Sequence, residues 1–270
     1  MEDQRQDNPW PDPSRKIDTT KKHSARVWNY WLGGKDNYPV DRAAGDEFAA
    51  LYPEIVDIAR DDRQFLRRCV AYLAGEVGIR QFLDIGTGLP TAQSTHEIAQ
   101  SIAPDSKIVY VDNDPLVLVH ARALLTNTTP EGVTTYVDAD VRDPELIISD
   151  ARNVLNFNQP IAVLLMGILG HAAATFDEMR SILDRLMAAV PSGSYLAMTD
   201  GVDIGHEGYR KASALHNYHL RTRDEILACF EGLELVDPGL VVINMWRPDP
   251  ARIGSNQPRH GAHAIVGRKP

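Results

Sequence analysis

The run Gln81-Phe82-Leu83-Asp84-Ile85-Gly86-Thr87-Gly88-Leu89-Pro90-Thr91 constrains this chain more than any other stretch. A short apolar segment ends in an acid, turns on two glycines and opens a helix start. Lys107 to Asp112 repeats the apolar run with a terminal acid, and Val133 to Val137 leads into Asp138-Ala139-Asp140. This succession predicts the front half of a doubly wound α/β sheet that takes a nucleoside-bearing molecule at its carboxyl edge.

Strands are predicted at about 81–85, 107–112, 133–137, 161–166 and 194–199, with helices between them. One apolar helix face runs through Leu116, Val119, His120, Ala123 and Leu124. Another runs through Phe176, Met179, Leu183, Leu186, Met187 and Val190. Strands separated by helices pair in parallel through right-handed crossovers. After Thr199 a mixed segment with Tyr209, His216 and Tyr218 leads to a helix from Arg223 to Phe230. Two strand-like runs come next, Gly239 to Trp246 and Ala262 to Val266, joined by a Pro/Gly/Asn-rich stretch and expected to pair antiparallel. Three regions result. Residues 1–20, polar and carrying Pro9, Pro11 and Pro13, read as a loosely attached tail. Residues 21–78 read as a helical cap or lid segment, and 79–270 as the core, with a cap insertion at about 200–222.

The 270 residues are 43% hydrophobic, enough for a full core, and carry a formal charge of −9 spread along the chain. An acidic chain without a basic block is not expected to bind nucleic acid. No apolar run reaches bilayer length and no charged-then-apolar leader is present, so a cytoplasmic protein without membrane attachment is expected. Cys69 and Cys229 lie far apart in apolar helical stretches and read as buried thiols.

The glycine turn and the acids define a binding constellation. Gly86 and Gly88 permit a tight turn and close ligand approach. The helix start after them, with Pro90 in its first turn, suits a carboxylate. Asp112 is placed for ribose hydroxyls, Asp140 for an adenine amino group and the Val141 N–H for the adjacent ring nitrogen. A dinucleotide fingerprint needs a third glycine where Thr91 stands, which favours S-adenosylmethionine.

These residues resemble the class I S-adenosylmethionine-dependent methyltransferases. The chain is more narrowly similar to a bacterial S-adenosyl methyltransferase family first catalogued as a domain of unknown function. The resemblance rests on Ala25-Arg26-Val27-Trp28-Asn29-Tyr30-Trp31-Leu32-Gly33-Gly34-Lys35-Asp36-Asn37 and on Gln81 to Thr91. It continues through Val109-Tyr110-Val111-Asp112-Asn113-Asp114-Pro115, Pro238-Gly239 and Trp246-Arg247-Pro248. It implies a seven-stranded, mostly parallel sheet with the last strand antiparallel. It also implies that Asp84, Gly86, Thr87, Gly88, Leu89, Pro90 and Thr91 surround the methionine moiety, and that Asp112 holds the ribose. Asn113 would sit beside the adenine, Asp140 and Val141 would read its edge, and Met166 and Gly167 would lie under the sulfonium.

Methyl transfer from a sulfonium mainly requires alignment and exclusion of water, so a catalytic motif is not obligatory. His171, after the fourth strand, is the first candidate for a base or acceptor contact; a helix-start histidine bonded to backbone is the alternative. Asp200 and Asp203 come after the fifth strand and suit either an acceptor pocket or a turn. Arg26, Tyr30, Lys35 and Asp36 are candidates for a closing lid, or for a surface turn that packs Trp28 and Trp31. His216 and His219 are spaced to share one helix face, without further ligands at motif spacing, so no metal is expected. His96 and His120 read as ordinary helix histidines. The leading expectation is a methyltransferase for a small-molecule acceptor. A non-catalytic cofactor-binding regulator and a nicotinamide-dependent oxidoreductase are the alternatives.

Overall fold

Alternating apolar residues decide which side of a sheet each strand side chain faces, and here they divide the interior into two cores. In the computed structural model, which describes residues 17–90, 93–124, 126–249, 258–259 and 261–270, one sheet holds eight strands. They are β1 (Gln81–Ile85), β2 (Lys107–Asp112), β3 (Val133–Asp138), β4 (Ala162–Met166), β5 (Tyr195–Gly201), β6 (Glu234–Leu235), β7 (Val241–Val242) and β8 (Ala262–Arg268). The order is β3-β2-β1-β4-β5-β8-β6, with β7 also paired to β8. Strands β1 to β5 are parallel, and β8 runs antiparallel to β5, β6 and β7.

Phe82, Ile108, Tyr110, Leu164, Ala197 and Val266 face one core, against Phe65, Leu66 and Cys69 of α3 (Ile55–Ala71). Their neighbours Leu83, Val109, Val163, Leu165, Leu196 and Ile265 face the other. There they meet α6 (Pro144–Ala151) through Ile147 and α8 (Phe176–Ala189) through Met179, Leu183 and Leu186. Each fully buried Leu, Ile or Phe contributes roughly 1.5–3 kcal/mol. The remaining helices are α1 (Ser24–Trp31), α2 (Pro39–Leu51), α4 (Thr95–Ile102), α5 (Pro115–Leu124), α7 (Leu169–Ala172), α9 (Glu207–Leu215) and α10 (Arg223–Ala228).

Helices α1 and α2 roof the carboxyl edge of the sheet. Edge-to-face contacts run from Trp28 to Trp31, Phe48 and Tyr209, and Tyr52 stacks on Tyr209 with ring centres 4.5 Å apart. This tethers the roof to α9. The Gly-Gly link after α1 is folded back on its own helix. Asn29 Oδ1 accepts from the Asp36 N–H at 3.1 Å and from Asn37 Nδ2 at 2.9 Å. A Cβ on Gly34 would lie 2.3 Å from the Asn29 side chain, which requires glycine there.

Four expectations are corrected. The sheet has eight strands rather than seven, because the two-residue β6, exposed at the edge, is too short to show an alternation. The run Gly239 to Trp246 is not one strand: only Val241–Val242 pairs, and Ile243–Met245 forms a 3₁₀ turn. Arg68 donates to the carbonyls of Ile243 and Trp246, which removes them from any ladder, and Trp246 is buried edge-on to Phe65 and Tyr72. Residues 17–20 are not loose. Ile17 packs beside Leu89, Leu116 and Val117, and the Asp18 carbonyl accepts from Arg26 Nη1 at 2.9 Å. Finally, α9 ends at Leu215, so His216 and His219 do not share a helix. The rest of the expected tail, 1–16, and the side chains of Ala123 and Leu124 lie outside the described residues.

Candidate active site

The strand order reverses between β1 and β4, and a crevice opens at the carboxyl ends of strands that diverge in this way. Past β1, the N–H groups of Gly86 and Thr87 both donate to the Val111 carbonyl, at 2.8 and 3.2 Å. Gly86 has φ +73°, and a Cβ there would come within 2.7 Å of the Ile168 side chain, so both backbone and space demand glycine. The Gly88 N–H donates to Asp112 Oδ2 at 2.7 Å, which ties the turn to the end of β2. Asp112 Oδ1 accepts from the N–H groups of Asn113 and Asp114 at 2.8 and 3.0 Å. Burial raises the Asp112 pKa against the pull of those N–H bonds. Among the described residues Oδ2 accepts only that one hydrogen bond, so it has a further acceptor position for a group such as a ribose hydroxyl.

Asp84 points to the α3 side, where Thr95 Oγ1 donates to it at 2.7 Å and burial pushes its pKa up to about 6. Asp62 of α3 is 5% exposed, accepts from Thr199 Oγ1 at 2.6 Å and is likewise pushed up to about 6 by burial. Beside them stands Arg63, whose charge favours the ionised forms of Asp62 and Asp84. It makes no hydrogen bond or ion pair among the described residues. Asp62, Arg63, Asp84, Gly86, Thr87, Gly88, Leu89, Asp112, Asn113, Met166 and Gly167 all line one cavity of about 350 Å³ under Trp28 and Phe48.

Several residues singled out in the sequence stand elsewhere. Pro90 borders a small adjoining pocket with Asp84, Tyr110 and Tyr136. Thr91 lies outside the described residues. Asp140 is held by Arg142 at 2.8 and 2.6 Å and accepts from Asn113 Nδ2 at 3.1 Å, so it braces Asn113 from behind the cavity wall. The side chain of Val141 packs in the second core, which leaves the expectation for its backbone N–H unaffected. Arg26 is buried in an ion pair with Asp114 at 3.1 Å. Tyr30 bonds Asp46 on the outer side, Lys35 is exposed, and Asp36 lies 3.6 Å from His120 Nε2. None of these four lines the cavity; the roof uses their neighbours Trp28, Asn29 and Leu32.

On the far side, His171 opens onto the cavity with its ring edge-on to Tyr218 at 4.8 Å. Its surroundings in the cavity mouth lower its pKa to about 4 through desolvation, against the pull of a hydrogen bond to the Asn217 backbone, although part of the ring is exposed. Asp200 lines the cavity, whereas Asp203 is taken up by Arg210 at 2.7 Å on the surface. His216 lines the cavity; His219 is exposed. His96 is buried with Nδ1 2.9 Å from the Tyr110 hydroxyl. Cys69 and Cys229 are buried thiols, and burial raises the pKa of both, Cys229 to about 12.

The sequence reading missed Asp62 and Arg63. A signal existed, since Asp62 falls in register with Ile55, Ile58, Ala59, Phe65 and Leu66 on the buried stripe of α3. A carboxylate on such a stripe is rarely idle.

The arrangement is a donor and acceptor set for an amino acid joined to a nucleoside. Arg63 matches a carboxylate, Asp62 and Asp84 match an ammonium, and Asp112 matches ribose hydroxyls. Residues 11–270 match the family model described as S-adenosyl methyltransferase. Among the curated proteins, none matches this chain. A solved DUF574-family protein of Streptomyces avermitilis is 44% identical with a TM-score of 0.88, covering 94% of this chain and all 100% of its own. A candidate methyltransferase of Thermobifida fusca is 42% identical with a TM-score of 0.87, covering 96% of this chain and 98% of its own.

Proposed function

This chain belongs to the S-adenosyl methyltransferase family, and from that premise we propose that it methylates a small-molecule acceptor held in the roofed cavity. S-adenosylmethionine supplies the electrophilic methyl group. The protein's share is to bind, orient and exclude water.

The observation that carries the cofactor assignment is Arg63, a half-buried guanidinium with no partner among the described residues, facing the Gly86–Gly88 turn. It would hold the methionine carboxylate, with Asp62 and Asp84 receiving the ammonium. Gly86, Thr87, Gly88, Leu89 and Pro90 would shape the passage of the methionine chain. Asp112 would accept from the ribose, Asn113, braced by Asp140, would flank the adenine, and Met166 and Gly167 would lie beneath the sulfonium. Trp28, Phe48 and Tyr209 line the far side with apolar surface, which would help keep water from the reacting atoms.

Calorimetric titration with S-adenosylmethionine, S-adenosylhomocysteine and NADH side by side tests this reading. Binding of the first two in the micromolar range and none of the third is expected. Preferential binding of NADH would reassign the Gly86–Gly88 turn to a dinucleotide.

A further inference from the structure

Beyond the cofactor half, the cavity wall is built by the end of β5 and the segment after it. Asp200 is 1% exposed. Its Oδ1 is fixed by the Gly201 N–H at 2.8 Å and by the Tyr218 hydroxyl, while its Oδ2 has no hydrogen-bond partner among the described residues. Two further unpartnered groups stand in the same wall: the hydroxyl of Ser213, 1% exposed, and Nε2 of His216. The Ala44 backbone accepts the other ring N–H of His216, so Nε2 offers a lone pair.

No lysine or arginine among the described residues hydrogen-bonds to these acceptors. Arg221, whose charge favours the ionised form of Asp200, bonds the carbonyls of Ala173 and Ala174 through its Nη groups, and its Nε makes no hydrogen bond among the described residues. Lys22 Nζ bonds the Leu215 carbonyl at 3.0 Å. His171 is neutral. The wall therefore presents an unpaired carboxylate oxygen and a ring nitrogen beside a hydroxyl that can donate or accept. The same cavity is lined by the aromatic side chains of Trp28, Phe48 and Tyr209, an apolar surround for the body of an organic acceptor.

We propose that the methyl acceptor is a small amine, with its nitrogen docked on Asp200 Oδ2 and its apolar body against the aromatic roof. The assignment deepens the methyltransferase reading and rests on it. A free amine donates one N–H to Oδ2. Its lone pair forms the C–N bond as the C–S bond breaks, and the pair from that bond remains on sulfur. The nitrogen gains positive charge during transfer, next to a fixed carboxylate, so the attraction grows toward the transition state. The methylammonium then releases one proton to Oδ2 and from there to water. A carboxylate or phosphate acceptor would meet repulsion at the same place.

The test uses the full chain saturated with S-adenosylhomocysteine, whose binding is measured first. Failure at that step would sink the cofactor reading and is distinct from failure in the acceptor titrations. Phenethylamine, 2-phenylethanol and phenylacetate are then titrated as matched probes. The amine is expected to bind at least tenfold tighter than the alcohol, with no binding of the acid. In Asp200→Asn the preference should disappear while S-adenosylhomocysteine affinity is kept. Asp203→Asn, a change at the surface, should retain the preference. A wild-type protein that favours the acid, or gives the amine no advantage, overturns the proposal whether or not the variant folds. So does an amine preference that survives in folded Asp200→Asn.

Discussion

Arg63 and Asp62 adjoin on one helix turn and make opposite demands on the protein. The guanidinium sits in the cavity wall with no fixed partner among the described residues, which leaves it ready for an anion. Arg63→Gln is expected to weaken S-adenosylhomocysteine by more than tenfold, the usual scale for a lost charge-assisted pair. Methylthioadenosine, which lacks the amino-acid moiety, should bind both proteins alike. Calorimetry with the two ligands separates a lost carboxylate contact from general damage. Asp62, in contrast, carries a cost. Its pKa is about 6 in the fold against 3.8 for the free side chain, so the fold favours its protonated form. Stability linked to this group is greatest below the unfolded value and is lost as pH rises through about 6. Asp62→Asn should therefore be more stable than the parent at pH 8, by on the order of 2–3 kcal/mol, and the difference should vanish near pH 4. Melting curves across that range would show whether it does.

At the scale of elements, α1 is strapped to the sheet by charge. Asp114 lies just past β2 and is fully buried. It caps α5 through the Leu116 N–H at 2.9 Å, and both Arg26 and His23 reach its Oδ2 at 3.1 Å. Removing one member of a buried pair leaves an uncompensated charge and costs roughly 3–5 kcal/mol. Arg26→Ala should lower the melting temperature by several degrees, and hydrogen exchange should rise first in α1 and at the Gly86–Gly88 turn. A drop without that local signature would place the role of Arg26 outside the strap. This strap also marks where the sequence stops being legible. Asp84, Gly86, Gly88 and Asp112 stand out because turn chemistry and strand ends fix their places locally. Arg26 meets Asp114 only across 88 positions, and no local pattern announces such a partner. The same holds for Thr199 on Asp62, where the signal was one polar residue on an apolar stripe. The run Gly239 to Trp246 has strand-like composition, yet Arg68 takes the carbonyls that its ladder would need. Tertiary partners outweighed propensity there.

Across the whole molecule, the cavity draws on two unlike sources. The half we assign to the cofactor comes from β1, β2, β4 and one turn of α3, packed on both cores and set by sheet register. Its outer half comes from the roof of α1 and α2 and from the segment after β5. These pieces lie far apart in the chain and meet through rings such as Trp31, Phe48 and Tyr209. The division has an evolutionary consequence. Lineages can exchange roof residues such as Trp28 or wall residues such as Ser213 without touching the strand ends. One inherited donor site can then serve a succession of acceptors, and relatives that share the glycine turn can diverge in substrate. An engineer can graft along the same seam, recombining residues 23–52 and 200–222 between homologues while the sheet keeps its grip on the methyl donor.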